Sequence, residues 1–292
     1  GLESESNTVS LRFPGNALLS GTLADGTPFA FSSVGRSSND SLHGTVTLEA
    51  AALPPVGPAL VIASTDAVPM GIRQGQTLQV DDGGTVPLNF NAGQGSKVNV
   101  EAGGRVGRNL EAVGAQVTIS GGTVGNDFEA FSGSTVTISG GTVGDFFSAR
   151  GAVTISGGTV GDEFTADHST VTISGGSFGE VFNASEGSAI HLLGREFLLD
   201  GLRLQELVNP GDSLILETRE GRRLTGTLFD GNSFDFDLYG SKTLGDDFFD
   251  PTATLRLTLA VPEPSGWALA CLASLTSLVY SCLRRFRGHR SS

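Results

Sequence analysis

Residues 117–122 read Val-Thr-Ile-Ser-Gly-Gly, and the same run returns at Val136, Val153 and Val171, the last copy closing on Ser174-Gly175-Gly176. Each copy continues alike, with a Val or Phe, a Gly, a Phe and then an Ala. The alanines Ala92, Ala112, Ala130, Ala149, Ala166 and Ala184 mark six units, spaced 20, 18, 19, 17 and 18 residues apart. The two earliest units are degenerate but legible, as Val80-Asp81-Asp82-Gly83-Gly84 and Val100-Glu101-Ala102-Gly103-Gly104. A unit this short cannot bury an apolar face alone, so it must stack on its neighbours.

Within a unit, Val153 and Ile155 alternate with Thr154 and Ser156, which is strand periodicity. The paired glycines supply a sharp corner where a positive φ is expected. A second short strand carries Val160, and a third carries Phe164 and Ala166. Three short strands and three corners in about 18 residues describe one rung of a parallel β-helix. The expected fold is therefore all-β, a parallel β-helix with β-rich caps, and the lack of a clean hexapeptide pattern points to a right-handed coil.

Stacked rungs lie about 4.8 Å apart, so equivalent side chains form ladders. The expected inner ladders are Ile119/Ile138/Ile155/Ile173, Val124/Val143/Val160/Phe178 and Phe128/Phe147/Phe164/Phe182, the last extended by Leu110 and Phe90. The outward columns include Thr118/Thr137/Thr154/Thr172. This region spans 59–200.

A second similarity joins the two flanks. Leu19-Ser20-Gly21-Thr22-Leu23-Ala24-Asp25-Gly26 matches Leu224-Thr225-Gly226-Thr227-Leu228-Phe229-Asp230-Gly231, and Phe29 and Phe31 match Phe234 and Phe236. Thr45-Val46-Thr47-Leu48 similarly resembles Thr252-Ala253-Thr254-Leu255. The Asp-Gly pair between apolar runs predicts a hairpin. One β-rich element has been duplicated. The copy at 201–260 is expected to cap the β-helix, as solenoid ends require. The copy at 1–58 is expected to end an upstream module, which would make the chain the last part of a longer array. The chain opens on Gly1 and polar residues, so no leader peptide is read there.

Composition agrees with many short strands and tight turns, with 42 glycines in 292 residues and little aromatic or charged content. Four of the basic residues and one acid fall after residue 260. Residues 1–260 hold 14 basic and 30 acidic residues, a net charge of −16. Such a body repels nucleic acid, which requires clustered Lys and Arg. Both cysteines, Cys271 and Cys282, lie in the terminal apolar run, leaving the body without a disulfide framework or a thiol nucleophile.

The tail, 261–292, has three parts in order. Val261-Pro262-Glu263-Pro264-Ser265 precedes an uncharged run from Gly266 to Leu283, and Arg284, Arg285 and Arg287 follow. As a helix the 18-residue run would be about 27 Å long, just enough for a ~30 Å hydrocarbon core. The basic end would stay cytoplasmic and the body outside. A buried core helix is the competing reading, opposed by the terminal position and the abrupt basic stop. The constellation resembles the PEP-CTERM sorting tail: a Pro-Glu-Pro motif, one transmembrane helix and a short basic end. That resemblance covers residues 261–292 and implies recognition by an exosortase in an exopolysaccharide-producing bacterium. It also implies an inner-membrane intermediate and delivery to the cell surface or extracellular matrix. It implies nothing about the activity of the body.

No catalytic constellation is evident. β-Helix enzymes carry their sites on long loops, and rungs of 17 to 20 residues leave no room for them. No nucleophile, base and orienting group come together, so the expectation is a protein that is not an enzyme. His43, His168, His191 and His289 are scattered without metal-ligand spacing, and His191 falls where the repeat has Thr. One column is acidic: Asn126, then Asp145, Asp162 and Glu180. Like charges 4.8 Å apart repel unless solvated or bridged, and calcium would suit oxygen-only ligands. Solvation is the simpler expectation, and the same holds for Asp246, Asp247 and Asp250.

Three functions remain open. The first is an exported structural or adhesive surface protein whose outward Thr and Ser columns meet polysaccharide. The second is a carbohydrate-active β-helix lyase or hydrolase. The third is a glycan-binding scaffold module of a larger array.

Overall fold

The computed structural model describes residues 8–12, 18–32, 45–57, 59–62, 68–241 and 246–260. All regular structure among them is β-strand, wound into a parallel β-solenoid of about seven turns. A typical rung is Gln116–Ile119, Thr123–Val124 and Glu129–Ala130. The first two strands of every rung lie in one large sheet, and the third lies in an eight-stranded sheet opposite.

The expected ladders are present in register. Ile119, Ile138, Ile155 and Ile173 pair successively, preceded by Val100 and Val80 and followed by Leu192. Val124, Val143, Val160 and Phe178 do likewise, preceded by Val86 and Val106. The six marker alanines form a single ladder up the eight-stranded sheet. Beside it Phe90, Leu110, Phe128, Phe147, Phe164 and Phe182 are fully buried. The rings of Phe128 and Phe147 stack at 4.6 Å, and Phe147 meets Phe164 edge-on at 5.2 Å. Each such side chain contributes about 1.5–3 kcal/mol from burial, before its ordering cost.

The glycine corner works for two reasons. Gly141 has φ 75°, and a Cβ there would lie 2.4 Å from the Gly121 carbonyl oxygen of the rung before. Backbone therefore stacks on backbone where any side chain would wedge the rungs apart.

The solenoid ends on one long strand, Ala189–Leu199. Its first half pairs in parallel with Thr254–Leu259, continuing the ladders through Ile190↔Leu255 and Leu192↔Leu257. Its second half pairs antiparallel with Arg222–Leu228, the first arm of a hairpin whose second arm is Ser233–Leu238. Phe234, Phe236 and Phe249 close over Phe178, Phe182 and Phe197, with Phe182 and Phe249 stacked at 5.6 Å. Ser213–Ile215 then runs antiparallel on the far side of Thr254–Leu259, so the parallel stacking stops there.

The N-terminal copy repeats this hairpin. Leu19 pairs Phe31 and Gly21 pairs Phe29, as Leu224 pairs Phe236 and Gly226 pairs Phe234. The two phenylalanines stand 5.3 Å apart in both copies, tilted 34° in one and 36° in the other. Both turns are closed by an aspartate, Asp25 accepting from the Thr27 N–H and Asp230 from the Asn232 N–H. Thr8–Arg12 pairs antiparallel with Thr45–Glu49, as Ser213–Ile215 pairs with Thr254–Leu259. These registers set Thr45 against Thr254, two residues beyond the match drawn from sequence alone.

Candidate interaction face

The large sheet carries its outward residues in columns as regular as its core. One runs Gln79, Asn99, Thr118, Thr137, Thr154, Thr172 and His191, all exposed or half-buried. Across the glycine corner a second runs Thr85, Arg105, Thr123, Thr142, Thr159 and Ser177, every member exposed. Hydroxyls are thus held about 4.8 Å apart along each column by the ladder. Ser177 Oγ reaches Thr159 Oγ1 at 3.1 Å. Arg105 is the one cation among these columns.

The acidic column has a local structural task. Asp145, Asp162 and Glu180 donate their backbone N–H groups to Asn126 Oδ1 at 3.2 Å, Asp145 Oδ1 at 3.0 Å and Asp162 Oδ1 at 2.7 Å. Each side chain therefore fastens the rung that follows. The glycine before each acid makes room for this, since a Cβ on Gly144, Gly161 or Gly179 would lie within 2.4 Å of that same oxygen. Gly-Asp is consequently one structural unit. Among the described residues no three His, Cys, Asp or Glu are arranged to hold a metal ion.

The next residue in this corner is a column the sequence reading missed. Asn89, Asn109, Asp127, Phe146, Glu163 and Val181 all have φ between 57° and 69°. Each of the first five donates its N–H to a carbonyl of the following rung, such as Asn109 to Asn126 at 2.9 Å. Asn and Asp tolerate this conformation, and their presence at 89, 109 and 127 was the available signal.

His191 stands in the threonine column, opposite Thr172. Its Nε2 lies 2.9 Å from Thr258 Oγ1, and burial, then the Arg256 charge, holds its pKa below the ordinary 6.5. His168 sits at φ 47° with Nδ1 2.7 Å from Asp167 Oδ1, a contact that raises its pKa. His43 and His289 lie outside the described residues.

Asp247 and Asp250 do more than face solvent. Asp247 accepts N–H groups from Phe182 at 2.6 Å and Asp237 at 3.0 Å, and burial raises its pKa. Asp250 turns the chain by accepting from the Thr252 N–H and hydroxyl. The Asp247 carboxylate thus ties the cap to the last rung, and Asp250 does so through its backbone N–H, which donates to the Ala184 carbonyl at 2.8 Å.

The sorting motif Val261–Ser265, the apolar run 266–283 and Arg284, Arg285 and Arg287 lie outside the described residues. Among the described residues no helix is long and apolar enough to cross a membrane. The body defines an all-β, parallel β-solenoid protein. No protein-family model, curated protein or solved structure matches the chain.

Proposed function

We propose that this is an exported bacterial surface or matrix protein whose solenoid presents a hydroxyl face to a neutral polysaccharide. The observation that carries this reading is the pair of outward columns, Thr118/Thr137/Thr154/Thr172 and Thr123/Thr142/Thr159/Ser177, on one sheet. A surface of short hydroxylated side chains on a stiff ladder has little entropy to lose on meeting a hydroxyl-rich polymer. The net charge of −16 before residue 261 disfavours polyanions and leaves neutral glycans as the matching class. The PEP-CTERM-like tail supplies the route. On this reading the apolar run 266–283 is the membrane anchor, Arg284, Arg285 and Arg287 stay on the cytoplasmic side, and an exosortase acts at Val261–Ser265.

Co-sedimentation of the full chain with an insoluble neutral β-glucan tests the adhesive part. Wild-type protein is expected in the pellet, and Thr142→Glu/Thr159→Glu is expected to reduce retention about tenfold, roughly 1.4 kcal/mol. Equal retention of the two proteins, or none by wild type, contradicts it.

A further inference from the structure

The corner that follows each marker alanine varies in length. It has four residues at 93–96, 131–134 and 185–188, and three at 113–115 and 167–169. After Ala149 it has only two, Arg150 and Gly151. The ladders on both sides of this short corner stay in register, Ala130↔Ala149↔Ala166 before it and Thr135↔Ala152↔Thr170 after it. The shortened backbone therefore leaves a notch in the flank of the solenoid, between the corners of the rungs before and after. A cavity of about 320 Å³ lies there, lined by Gly133, Arg150, Gly151, His168 and Ser169.

Three groups around the notch depart from their equivalents in other rungs. The serine that closes a corner donates to a carbonyl at Ser96, Ser134 and Ser188, at 2.6, 2.7 and 2.6 Å. Ser169 is 5% exposed, and its hydroxyl has no partner among the described residues. The corner residue of positive φ is glycine at 75, 95, 114, 133 and 187, but here it is His168 at φ 47°, a conformation that strains a side chain. The N–H of that residue donates to the next corner from Gly75, Gly95 and His168, at 3.2, 2.9 and 3.1 Å. The N–H of Gly133 faces the shortened corner and has no acceptor among the described residues. Strain and two unspent polar groups thus meet where the repeat is shortest, as at a site shaped for a ligand.

The charges at the notch offset one another. Arg150 Nε donates to Asp167 Oδ2 at 3.2 Å, and Arg150 Nη1 lies 3.8 Å from Glu129. Asp167 Oδ1 in turn lies 2.7 Å from His168 Nδ1. Donors and acceptors therefore stand side by side without a surplus of positive charge for an anion. Adjacent hydroxyls of a sugar ring match that pattern, since each can both donate and accept. The cavity is at the small end of the ~300–1,000 Å³ range of ligand sites, which suits one ring rather than a chain. Thr135 and Thr170 also line it, one column away from Thr137, Thr154 and Thr172, so the notch opens at the edge of the hydroxyl face.

We propose that the notch over Arg150 and Gly151 binds a single neutral sugar unit. Arg150 and Asp167 take adjacent hydroxyls of the ring, and the Ser169 hydroxyl and Gly133 N–H complete the set. The proposal rests on the polysaccharide reading for its ligand class. It adds a point of recognition to it: the threonine columns meet the polymer along its length, and the notch takes a terminal or branching ring.

Saturation-transfer NMR on the full chain, with D-glucose, D-galactose and D-mannose as separate probes, tests this site. Transfer to at least one sugar is expected. Ser169→Ala is expected to weaken that binding about fivefold, the loss of one hydrogen bond, while leaving the melting temperature unchanged. Ser134→Ala, whose hydroxyl is bonded within the protein, is expected to lower the melting temperature by about 2–4 °C. His168→Gly, which restores the residue of the other corners, is expected to weaken binding without lowering the melting temperature. Inserting Ser-Gly between Arg150 and Gly151 refills the corner and is expected to abolish transfer. The Thr142→Glu/Thr159→Glu protein is expected to keep it, which separates the notch from the columns.

Wild-type protein that pellets with β-glucan yet shows transfer to none of the three sugars overturns the notch and leaves the face reading standing. Transfer that persists unweakened in both Ser169→Ala and His168→Gly overturns it as well. Displacement of the sugar by inorganic phosphate would mark an anion site and contradict the neutral class.

Discussion

Replacing Phe147 with Ala removes the middle of the aromatic ladder. The ring is fully buried, stacked on Phe128 at 4.6 Å and set edge-on to Phe164 at 5.2 Å. A buried Phe→Ala change costs about 3–5 kcal/mol, which includes about 0.5–1.5 kcal/mol for each ring contact. The backbone on both sides is fixed by ladder hydrogen bonds, including the Ser148 N–H to the Phe128 carbonyl at 2.8 Å, so the cavity has little means of collapse. With a urea dependence of about 3 kcal/mol per M, the unfolding midpoint should fall by about 1–1.7 M. Because each rung touches only its neighbours, the losses should also have a range. Phe128→Ala and Phe147→Ala should couple by about 1 kcal/mol, whereas Leu110→Ala and Phe164→Ala, three rungs and about 14 Å apart, should add within about 0.5 kcal/mol. A loss below about 1 kcal/mol for Phe147→Ala, or equal coupling in both pairs, refutes the ladder as the source of stability.

Val181 holds φ 69°, a conformation that costs a β-branched residue about 1–2 kcal/mol, so Val181→Asn should raise stability by about 1 kcal/mol in urea titration. Asp162→Ala removes the acceptor of the Glu180 N–H and should cost about 1 kcal/mol, while Asp162→Asn keeps an oxygen there and should stay within about 0.5 kcal/mol of wild type. A thermal melt of both variants separates this fastening role from a purely electrostatic one, which would make them alike. His191 has a folded pKa below its ordinary 6.5, so the stability tied to its neutral ring is complete above 6.5 and lost as pH falls through the folded value. His191→Thr, which restores the residue of the repeat, should therefore lose less melting temperature than wild type between pH 7 and pH 5.

The rungs were legible because periodicity is written directly in residue identity. The Val-Thr-Ile triplet alternates inward and outward, and each copy repeats the same inward set, so ladder partners follow from spacing alone. Rung lengths differ because the glycine corner and the corner after the alanine absorb them. The acidic corner keeps one length, from Val86 to Asn91 as from Phe178 to Asn183. That constancy marks the corner as bonded rung to rung, although Asp145 and Asp162 alone suggest only charge. The cap was legible as a duplication but not as a mechanism. Asp247 lies 65 positions from Phe182, whose N–H it accepts, and no local pattern announces a contact at that separation. The different burial of the N-terminal copy was equally hidden, since Leu23 and Leu228 look the same in sequence while one is 50% and the other 1% exposed.

The most direct test of the surface-protein account is the mass of the mature chain, made in a host that carries the sorting machinery. A C-terminus near Pro262–Ser265, with the body outside the inner membrane, is the predicted result. An intact end at Ser292 in the membrane fraction would contradict exosortase-type sorting.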